Sequence, residues 1–390
     1  MKEKILKHTA SILHRIACKA VETEARVLLR KGCNEVFFKN IMAPEFDYKP
    51  FIHRINPYYA QWGFKFSMVE AEYFSLMSGV KSDIFIPGTL FFHYLIPFLG
   101  GTKKYVDKNL TRKFLGAKSL CKKVDFRMAN QVVYNSQGMF YNGNDECITL
   151  EEALDAVMAY PEDIITKPTY STTWGKGVAK LKAEGKNREA IKELFLKYKK
   201  NFSFEECIVQ HPDIAQLNPT SLNTTRVTTY RRPNGQLKFL FAFQRFGKEG
   251  KVVDNASAGG DFVGVHYDGT LGRTIKQFKS LKTRRLNDNI VEKIPYFERI
   301  KEAALYLHSK IPDLNYIGWD FTVSPEGQPI VIEMNSYGST DVPQIALGPA
   351  FSKEDLDELM PLVATWKPSY DCVPMVAFEK RKGHKVKIRS

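Results

Sequence analysis

The chain has 390 residues, of which 44% are hydrophobic and 13% aromatic, so it can bury a large core and divide into two or more domains or lobes. Its formal net charge of +14 favours anionic partners such as nucleotides, nucleic acid, acidic glycans or an anionic membrane surface. The six cysteines are scattered without CxxC spacing. They predict free thiols in a reducing cytoplasm and argue against a disulfide framework or a zinc site.

The N-terminal region is predicted to be mainly helical. Residues 1–30 mix charged and apolar residues at helical spacing and lack the uninterrupted apolar core of a signal peptide. The most apolar segment, residues 84–101, is interrupted by Pro87, His93 and Pro97. It falls short of the roughly 20 clean apolar residues that a membrane-spanning helix needs, so we interpret it as buried structure.

Strands and helices alternate along the rest of the chain. Helices are predicted at residues 69–77, 108–115, 186–200 and 288–310, and another begins at Thr149, where Thr149 and Glu152 form a capping-box pattern. Strands are predicted at residues 131–134, 163–167 and 205–210. Residues 226–231 and 236–243 flank the turn signal Pro233-Asn-Gly235 and predict a hairpin. The pattern indicates an α+β or mixed α/β protein with several antiparallel hairpins.

The segment IGWDFTVSPEGQPIVIEMN, residues 317–335, predicts a second hairpin with its turn at Ser-Pro-Glu-Gly. Alternation places one apolar set on each strand: Trp319, Phe321 and Val323 on the first, and Ile330, Ile332 and Met334 on the second. Both sets share one face only if odd positions of the first strand pair with even positions of the second. That register puts Asp320 on the opposite face together with Glu333 and Asn335.

Two carboxylates this close repel each other, and a bound cation resolves the conflict. Asp320, Glu333 and Asn335 offer only oxygen ligands, which suits Mg²⁺ or Mn²⁺ rather than zinc. The alternative is the polar outer face of an ordinary edge hairpin.

Three other polar segments have phosphate-handling chemistry. Residues 167–178 follow a strand and are dense in Gly, Ser and Thr, so backbone N–H groups and a lysine can approach phosphate oxygens. Residues 218–229 lead into a strand at Arg226, whose guanidinium is a suitable fork for phosphate. Residues 254–260 form a second small-residue loop. The alternative for residues 167–178 and 254–260 is an ordinary loop or turn, and for Arg226 it is a surface or salt-bridging residue.

Taken in order, these segments resemble the ATP-grasp superfamily, specifically its sugar-transfer-associated branch, over roughly residues 84–349. Asp320, Glu333 and Asn335 are similar to its metal-ligand signature. Lys167 resembles the second nucleotide lysine, followed by a phosphate loop that contributes Ser171, Gly175 and Gly177.

The resemblance also nominates residues outside the metal site. Residues 105–110 are similar to the segment of the first nucleotide lysine, which is then Lys108. Residues 205–208 occupy the hinge position, with Glu205 and Ile208 as adenine contacts. The remaining candidates are Gln210 for the ribose, with His211 as the alternative, Arg226 for the transferred phosphate, and Asn255 in the loop near the phosphates.

The resemblance implies an ATP-grasp fold, in which two α+β lobes grip ATP, after an N-terminal mainly helical region. The expected parts are residues 1–100, which contribute to the acceptor site, residues 101–211 with the phosphate loop and hinge, and residues 212–390 with the metal site and a basic tail.

The implied activity is an ATP- and Mg²⁺-dependent carboxylate–amine ligase. It forms an amide through an acyl phosphate and attaches an amino acid or similar group to a sugar or cell-surface glycan precursor. The alternatives are a kinase that phosphorylates a hydroxyl and a non-enzymatic binder of anionic glycan or nucleic acid. Because no nucleic-acid module is recognisable, we expect small-molecule carboxylate and amine partners in the cytoplasm, with no nucleic acid. The basic tail at residues 379–390 is either a solvated end or a contact with an anionic surface.

Overall fold

The computed structural model describes residues 41–101, 105, 107–115, 124–170, 177–247 and 260–366. The chain forms two compact units: a terminal unit, made of Met1–Gly101 and Ser339–Ser390, and a central unit, Thr102–Gly338. The division into residues 1–100, 101–211 and 212–390 stays a prediction. The compact units differ from it by grouping the residues after 338 with the N-terminal region. The predicted helix within residues 1–30 lies outside the described residues.

The first part of the terminal unit is helical. Its elements are a 3₁₀ turn at Lys49–Phe51, α1 Pro57–Ala60, α2 Val69–Ser78, α3 Gly88–Leu90, a π-helical turn at Phe91–Leu95, and α4 Ile96–Phe98. The predicted helix at residues 69–77 is therefore confirmed. The apolar segment 84–101 is largely buried, with Phe85, Leu90 and Leu95 fully enclosed. No described helix is long and apolar enough to cross a membrane.

The central unit contains two sheets and five described helices. The strands are β1 Arg127–Met128, β2 Gln131–Ser136, β3 Met139–Asn142, β4 Cys147–Ile148, β5 Ile164–Pro168, β6 Ala179–Leu181, β7 Phe202–Glu206, β8 Thr224–Arg231, β9 Leu237–Phe246, β10 Asp261–Val265, β11 Thr274–Gln277, β12 Arg284–Arg285, β13 Tyr316–Val323 and β14 Pro329–Asn335. The helices are α5 Lys108–Leu115, α6 Leu150–Ala159, α7 Arg188–Tyr198, α8 Pro212–Ala215 and α9 Phe297–Ser309. In the terminal unit the chain continues with α10 Asp341–Leu347 and α11 Lys353–Thr365. The α+β class is confirmed.

The smaller sheet has six antiparallel strands in the order β4-β3-β2-β7-β5-β6. Its apolar core includes Val133 and Phe204 from the strands, Leu154 from α6 and Phe195 from α7. Helix α6 begins with the predicted capping box, because the Thr149 side chain accepts from the Glu152 N–H and the Glu152 carboxylate accepts from the Thr149 N–H. This sheet positions the strand end that carries Lys167.

The larger sheet has eight strands in the order β1-β14-β13-β8-β9-β10-β11-β12. Only the β1–β14 pair is parallel. One face packs against α9, with Val227, Trp319, Ile300 and Leu307 in a shared apolar core. Because side chains alternate along each strand, the opposite face is free to carry polar groups.

The hairpin of β13 and β14 has the predicted register at its polar positions. Trp319 lies opposite Met334, and Asp320 lies opposite Glu333. The Gly327 N–H donates to the Ser324 carbonyl at 3.0 Å, which closes the predicted turn.

A bulge next to Asp320 corrects the predicted apolar set. Beyond it Phe321 lies opposite Val331, and Thr322 lies opposite Ile330. Val331, rather than Ile330, therefore joins the core with Trp319. Strict alternation assumes an unbroken register and therefore does not predict a bulge. The one extra residue in the bulge moves every residue beyond it to the other face of the strand.

Two predicted boundaries were also wrong. The predicted strand at residues 205–210 is β7, which runs from Phe202 to Glu206. The predicted helix at 288–310 begins only at Phe297, directly after Tyr296, which has a φ of 53°. Pro295 explains the later start of α9, since the residue before a proline disfavours helical geometry.

Candidate functional site

The polar face of the larger sheet gathers three charged side chains in one row. On the central strand β13, Asp320 lies directly opposite Glu333 of β14 on one side and Arg226 of β8 on the other. Directly opposed residues in a sheet share a face. Asn335, two residues after Glu333, is on the same face and places its amide nitrogen 3.5 Å from Asp320 Oδ2. The structure thus brings together the three predicted metal ligands and the predicted phosphate arginine.

Asp320 is buried and held by two guanidinium groups. Arg226 donates through Nε to Oδ1 and through Nη2 to Oδ2, the second at 3.0 Å. Arg245 of β9 places its Nη2 at 3.0 Å from Oδ2. Burial favours the neutral acid, but the attraction of Arg226 and Arg245 outweighs it and lowers the pKa of Asp320 to about 2. Asp320 is therefore an anion at any physiological pH.

A glycine makes room for the Arg226 side chain. Gly318 lies on the same face as Asp320, opposite Asn335 on one side and Thr228 on the other. A Cβ atom at Gly318 would lie 3.3 Å from Nη1 of Arg226 and 3.7 Å from Cβ of Asn335. A side chain here would crowd the guanidinium that holds Asp320.

Glu333 is joined to the predicted first nucleotide lysine. Lys108 Nζ lies 3.3 Å from Glu333 Oε1. Lys108 is the first residue of α5, and its N–H donates to the Thr169 carbonyl at 2.9 Å. The Asn109 side chain donates to Thr169 Oγ1 at 3.1 Å. The helix that carries Lys108 is therefore tied to the chain just beyond the predicted second lysine, Lys167.

Lys167 forms a buried ion pair within the smaller sheet. Its Nζ lies 2.6 Å from Glu205 Oε2, and the Ser203 hydroxyl donates to Glu205 Oε1 at 2.7 Å. Burial favours the protonated acid, but the charges of Lys167 and Arg112 outweigh it and lower the pKa of Glu205. The two predicted nucleotide residues, Lys167 and Glu205, are thus in direct contact.

The predicted adenine and ribose contacts after β7 are Ile208, Gln210 and His211. Ile208 is half-buried in the segment after β7. The Gln210 amide donates to the Ser221 carbonyl and accepts from the Asn223 N–H, both at 2.9 Å. Its side chain therefore holds the segment that leads into β8 and Arg226. His211 caps α8 by accepting from the Asp213 N–H at 3.2 Å.

Gly177 has a φ of +81° and lies against Pro168, since an added Cβ would be 3.1 Å from that ring. Its carbonyl accepts from the Tyr198 hydroxyl at 2.6 Å. Ser171, Gly175 and Asn255 lie outside the described residues.

Two basic residues of this region, Arg245 and Arg112, were not predicted from the sequence. Arg245 lies near the end of β9, LKFLFAFQRF, where it follows the apolar run FLFAF at residues 239–243. Arg112 follows Lys108 by one helical turn, a spacing that places both on one face of α5. The sequence signals that indicate these positions are a charge near the end of an apolar strand and a basic pair at helical spacing.

The donor set at Asp320 fits Mg²⁺. Two carboxylates and one amide provide oxygen ligands, which hard cations prefer. An ionised carboxylate has about four acceptor positions, and Arg226 and Arg245 occupy three of those on Asp320. Among the described residues no group of three or more His, Cys, Asp or Glu side chains is arranged to hold a metal ion. A Mg²⁺ ion held by Asp320, Glu333 and Asn335 would have few protein ligands, and water and phosphate oxygens would complete its coordination.

The fold and the polar row define an α+β protein with a candidate metal and phosphate site, and comparison with known proteins gives the family. The model of the sugar-transfer associated ATP-grasp family matches residues 103–358, and the chain belongs to that family. ATP and Mg²⁺ are the cofactors of ATP-grasp enzymes, and Mn²⁺ stays a prediction. No curated protein matches the sequence.

Several solved ATP-grasp ligases are similar in structure. The VanG D-Ala:D-Ser ligase from Enterococcus faecalis is 15% identical with a TM-score of 0.40, and the match covers 66% of this chain and 61% of that one. D-alanyl-alanine synthetase A from Vibrio cholerae is 14% identical with a TM-score of 0.39, over 67% and 64% of the two chains. The N5-carboxyaminoimidazole synthetase from Staphylococcus aureus, complexed with ADP, is 12% identical with a TM-score of 0.38, over 68% and 54%. The match thus spans about three fifths of the first ligase's length.

Proposed function

We propose that this protein is an ATP-dependent carboxylate–amine ligase that forms an amide through an acyl phosphate. Its acceptor is a sugar or cell-surface glycan precursor, to which it attaches an amino acid or similar group. The observation that carries the proposal is the row Glu333–Asp320–Arg226 on one sheet face, with Lys108 in contact with Glu333. Family membership supports the same chemistry.

The charges of this row suit phosphoryl transfer, which needs positioning and neutralisation more than covalent catalysis. Asp320, Glu333 and Asn335 would hold the metal, which supplies charge neutralisation to the β- and γ-phosphates when bound. Lys108 and Lys167 would bind phosphate oxygens as point charges. Arg226 is fixed by Asp320 and by the space at Gly318, so it presents a preorganised guanidinium to the charge that develops on the transferred group.

The products of ATP turnover test the reaction class. Purified protein with ATP, Mg²⁺ and mixed amino acids and amino sugars is expected to release ADP and phosphate in equal amounts and to form an amide. Mass spectrometry of the mixture identifies the product. ADP without free phosphate, together with a phosphorylated alcohol, would instead assign a kinase.

The site assignment is tested with Glu333→Gln, which keeps the size of the half-exposed side chain and removes its charge. We expect turnover to fall by about 100-fold or more, because a metal ligand and a partner of Lys108 are lost together. The matched control is Glu302→Gln on α9, where the carboxylate is exposed. Equal activity in both variants would remove Glu333 from the metal site.

The identity and location of the partners belong to the same proposal. The carboxylate and amine are small molecules, and the family's sugar-transfer association supports a sugar precursor as the acceptor. The cytoplasm is the proposed location, in line with free Cys147 and Cys207.

A further inference from the structure

The hairpin of β11 and β12 is the most basic short segment of the central unit. Residues 273–286 read RTIKQFKSLKTRRL, with six Lys or Arg and no Asp or Glu. We call this segment the basic hairpin. Its strand β12 is the last strand of the larger sheet, and the side chains of Arg284 and Arg285 are 61% and 74% exposed.

A pocket opens in the basic hairpin. Its volume is about 310 Å³, within the size of small-ligand sites, and its lining consists of Arg273, Thr274, Thr283, Arg284 and Arg285. Thr274 lies directly opposite Arg285, so these two side chains share a face. Three guanidinium groups and two hydroxyls in one concave surface provide donors for an anion.

The lining donors are only partly used within the protein. Arg273 gives one Nη1 bond, at 3.3 Å, to the Ile290 carbonyl. Arg284 donates through Nη2 to the buried carboxylate of Asp261, which leaves its other N–H groups available. Arg285 pairs with the exposed carboxylate of Asp288 at 2.9 Å. An exposed ion pair of this kind contributes little to stability, so a doubly charged ligand can displace Asp288 at little cost.

The basic hairpin is separate from the candidate ATP site. Five strand steps lie between β13, which carries Asp320, and β12. At about 4.8 Å per step the two strands are about 24 Å apart across the sheet. A ligand in this pocket therefore does not take the place of the ATP phosphates held near Asp320.

We propose that the basic hairpin binds a phosphate or diphosphate group at a second anion site. Arginine matches this ligand because its planar fork donates two parallel bonds to phosphate oxygens, and the threonine hydroxyls complete the donor set. The concave lining, confined to five residues, fits one compact phosphate group rather than an extended polyanion. In the ligase reaction this group belongs to a phosphorylated sugar acceptor, and that last assignment rests on the proposed function.

The test measures pyrophosphate binding by calorimetry. The full chain is first saturated with Mg²⁺ and a non-hydrolysable ATP analogue, so that the ATP site is filled. We expect one further pyrophosphate per chain. Arg285→Gln is expected to weaken it at least tenfold, and Thr283→Val severalfold. Both side chains are exposed, so neither variant threatens folding.

The control variant is Lys192→Gln on the exposed face of α7, which removes the same charge elsewhere in the central unit. If Arg285→Gln and Lys192→Gln weaken pyrophosphate binding equally, net charge alone explains the effect and the proposal is overturned. Loss of all pyrophosphate binding once the ATP analogue is present would do the same.

Competition identifies the source of the phosphate. Displacement of pyrophosphate by a uridine diphosphate sugar supports a sugar-linked ligand. If only single-stranded RNA or phosphatidic acid vesicles compete, the compact site is refuted. Pyrophosphate binding that persists in Glu333→Gln, or without any ligase product, would sustain the second site even if the proposed ligase activity fails.

Discussion

A buried carboxyl in the terminal unit makes stability depend on pH. Glu70 of α2 is 2% exposed, and its Oε1 accepts from the Gly88 N–H at 2.9 Å. Burial raises its pKa from 4.5 to about 8, and the nearby Asp341 of α10 adds to the rise. Glu70 is therefore protonated in the folded protein at neutral pH, whereas it is ionised in the unfolded chain.

The sign and size of the effect follow from this difference. Between pH 4.5 and about 8 the folded state binds more protons at Glu70 than the unfolded state, so the free energy of unfolding falls as pH rises through that window. At about 1.4 kcal/mol per pKa unit, the full loss is on the order of 4–5 kcal/mol. Below pH 4.5 Glu70 is protonated in both states, so none of this stability is lost there.

Glu70→Gln removes the titrating proton and keeps the side-chain shape. We expect the variant to lose clearly less stability than the parent between pH 5 and 8.5, with the remaining loss coming from Asp341, whose pKa is raised to about 6 by burial. Urea denaturation followed by circular dichroism gives both curves, and Glu45→Gln, at an exposed position of the same unit, is the control. Parallel pH curves for the parent and Glu70→Gln would refute the reasoning.

Three further substitutions test other parts of the structure by their effect on the unfolding free energy. Gly327→Ala should cost about 2 kcal/mol in thermal unfolding, because φ is +87° and the new Cβ would lie 2.5 Å from the Tyr296 ring; an unchanged melting temperature contradicts this. Thr149→Ala removes the capping box of α6 and should cost about 1 kcal/mol, which chemical denaturation measures. Lys167→Ala leaves the buried Glu205 with Arg112 as its remaining positive neighbour and should cost about 3 kcal/mol. Adding Glu205→Gln should restore stability but not ATP affinity, and recovery of both would argue against nucleotide binding by Lys167.

The sequence predicted elements where the local signal is strong. The capping box at Thr149, the helix beginning at Lys108 and the hairpin turn at Gly327 were all read correctly, because each depends on residues close together in the chain. The polar register of β13 and β14 was predicted for the same reason, since alternation leaves one pairing that buries Trp319.

Features that depend on tertiary packing were not predicted. The bulge beside Asp320 has no local signature, so the side of Ile330 was assigned wrongly. The role of Arg245 depends on strand order, because β9 reaches Asp320 only across β8. The bracing role of Gln210 likewise requires two segments that the sequence alone does not place together.

The strand order of the larger sheet also bears on self-association. Its two outer strands, β1 Arg127–Met128 and β12 Arg284–Arg285, are each two residues long and each carry arginine. A strand from a second molecule would find few free backbone groups at either border and would have to approach a guanidinium charge. Fibril-like stacking through this sheet is therefore disfavoured, even at the high protein concentrations that calorimetry requires.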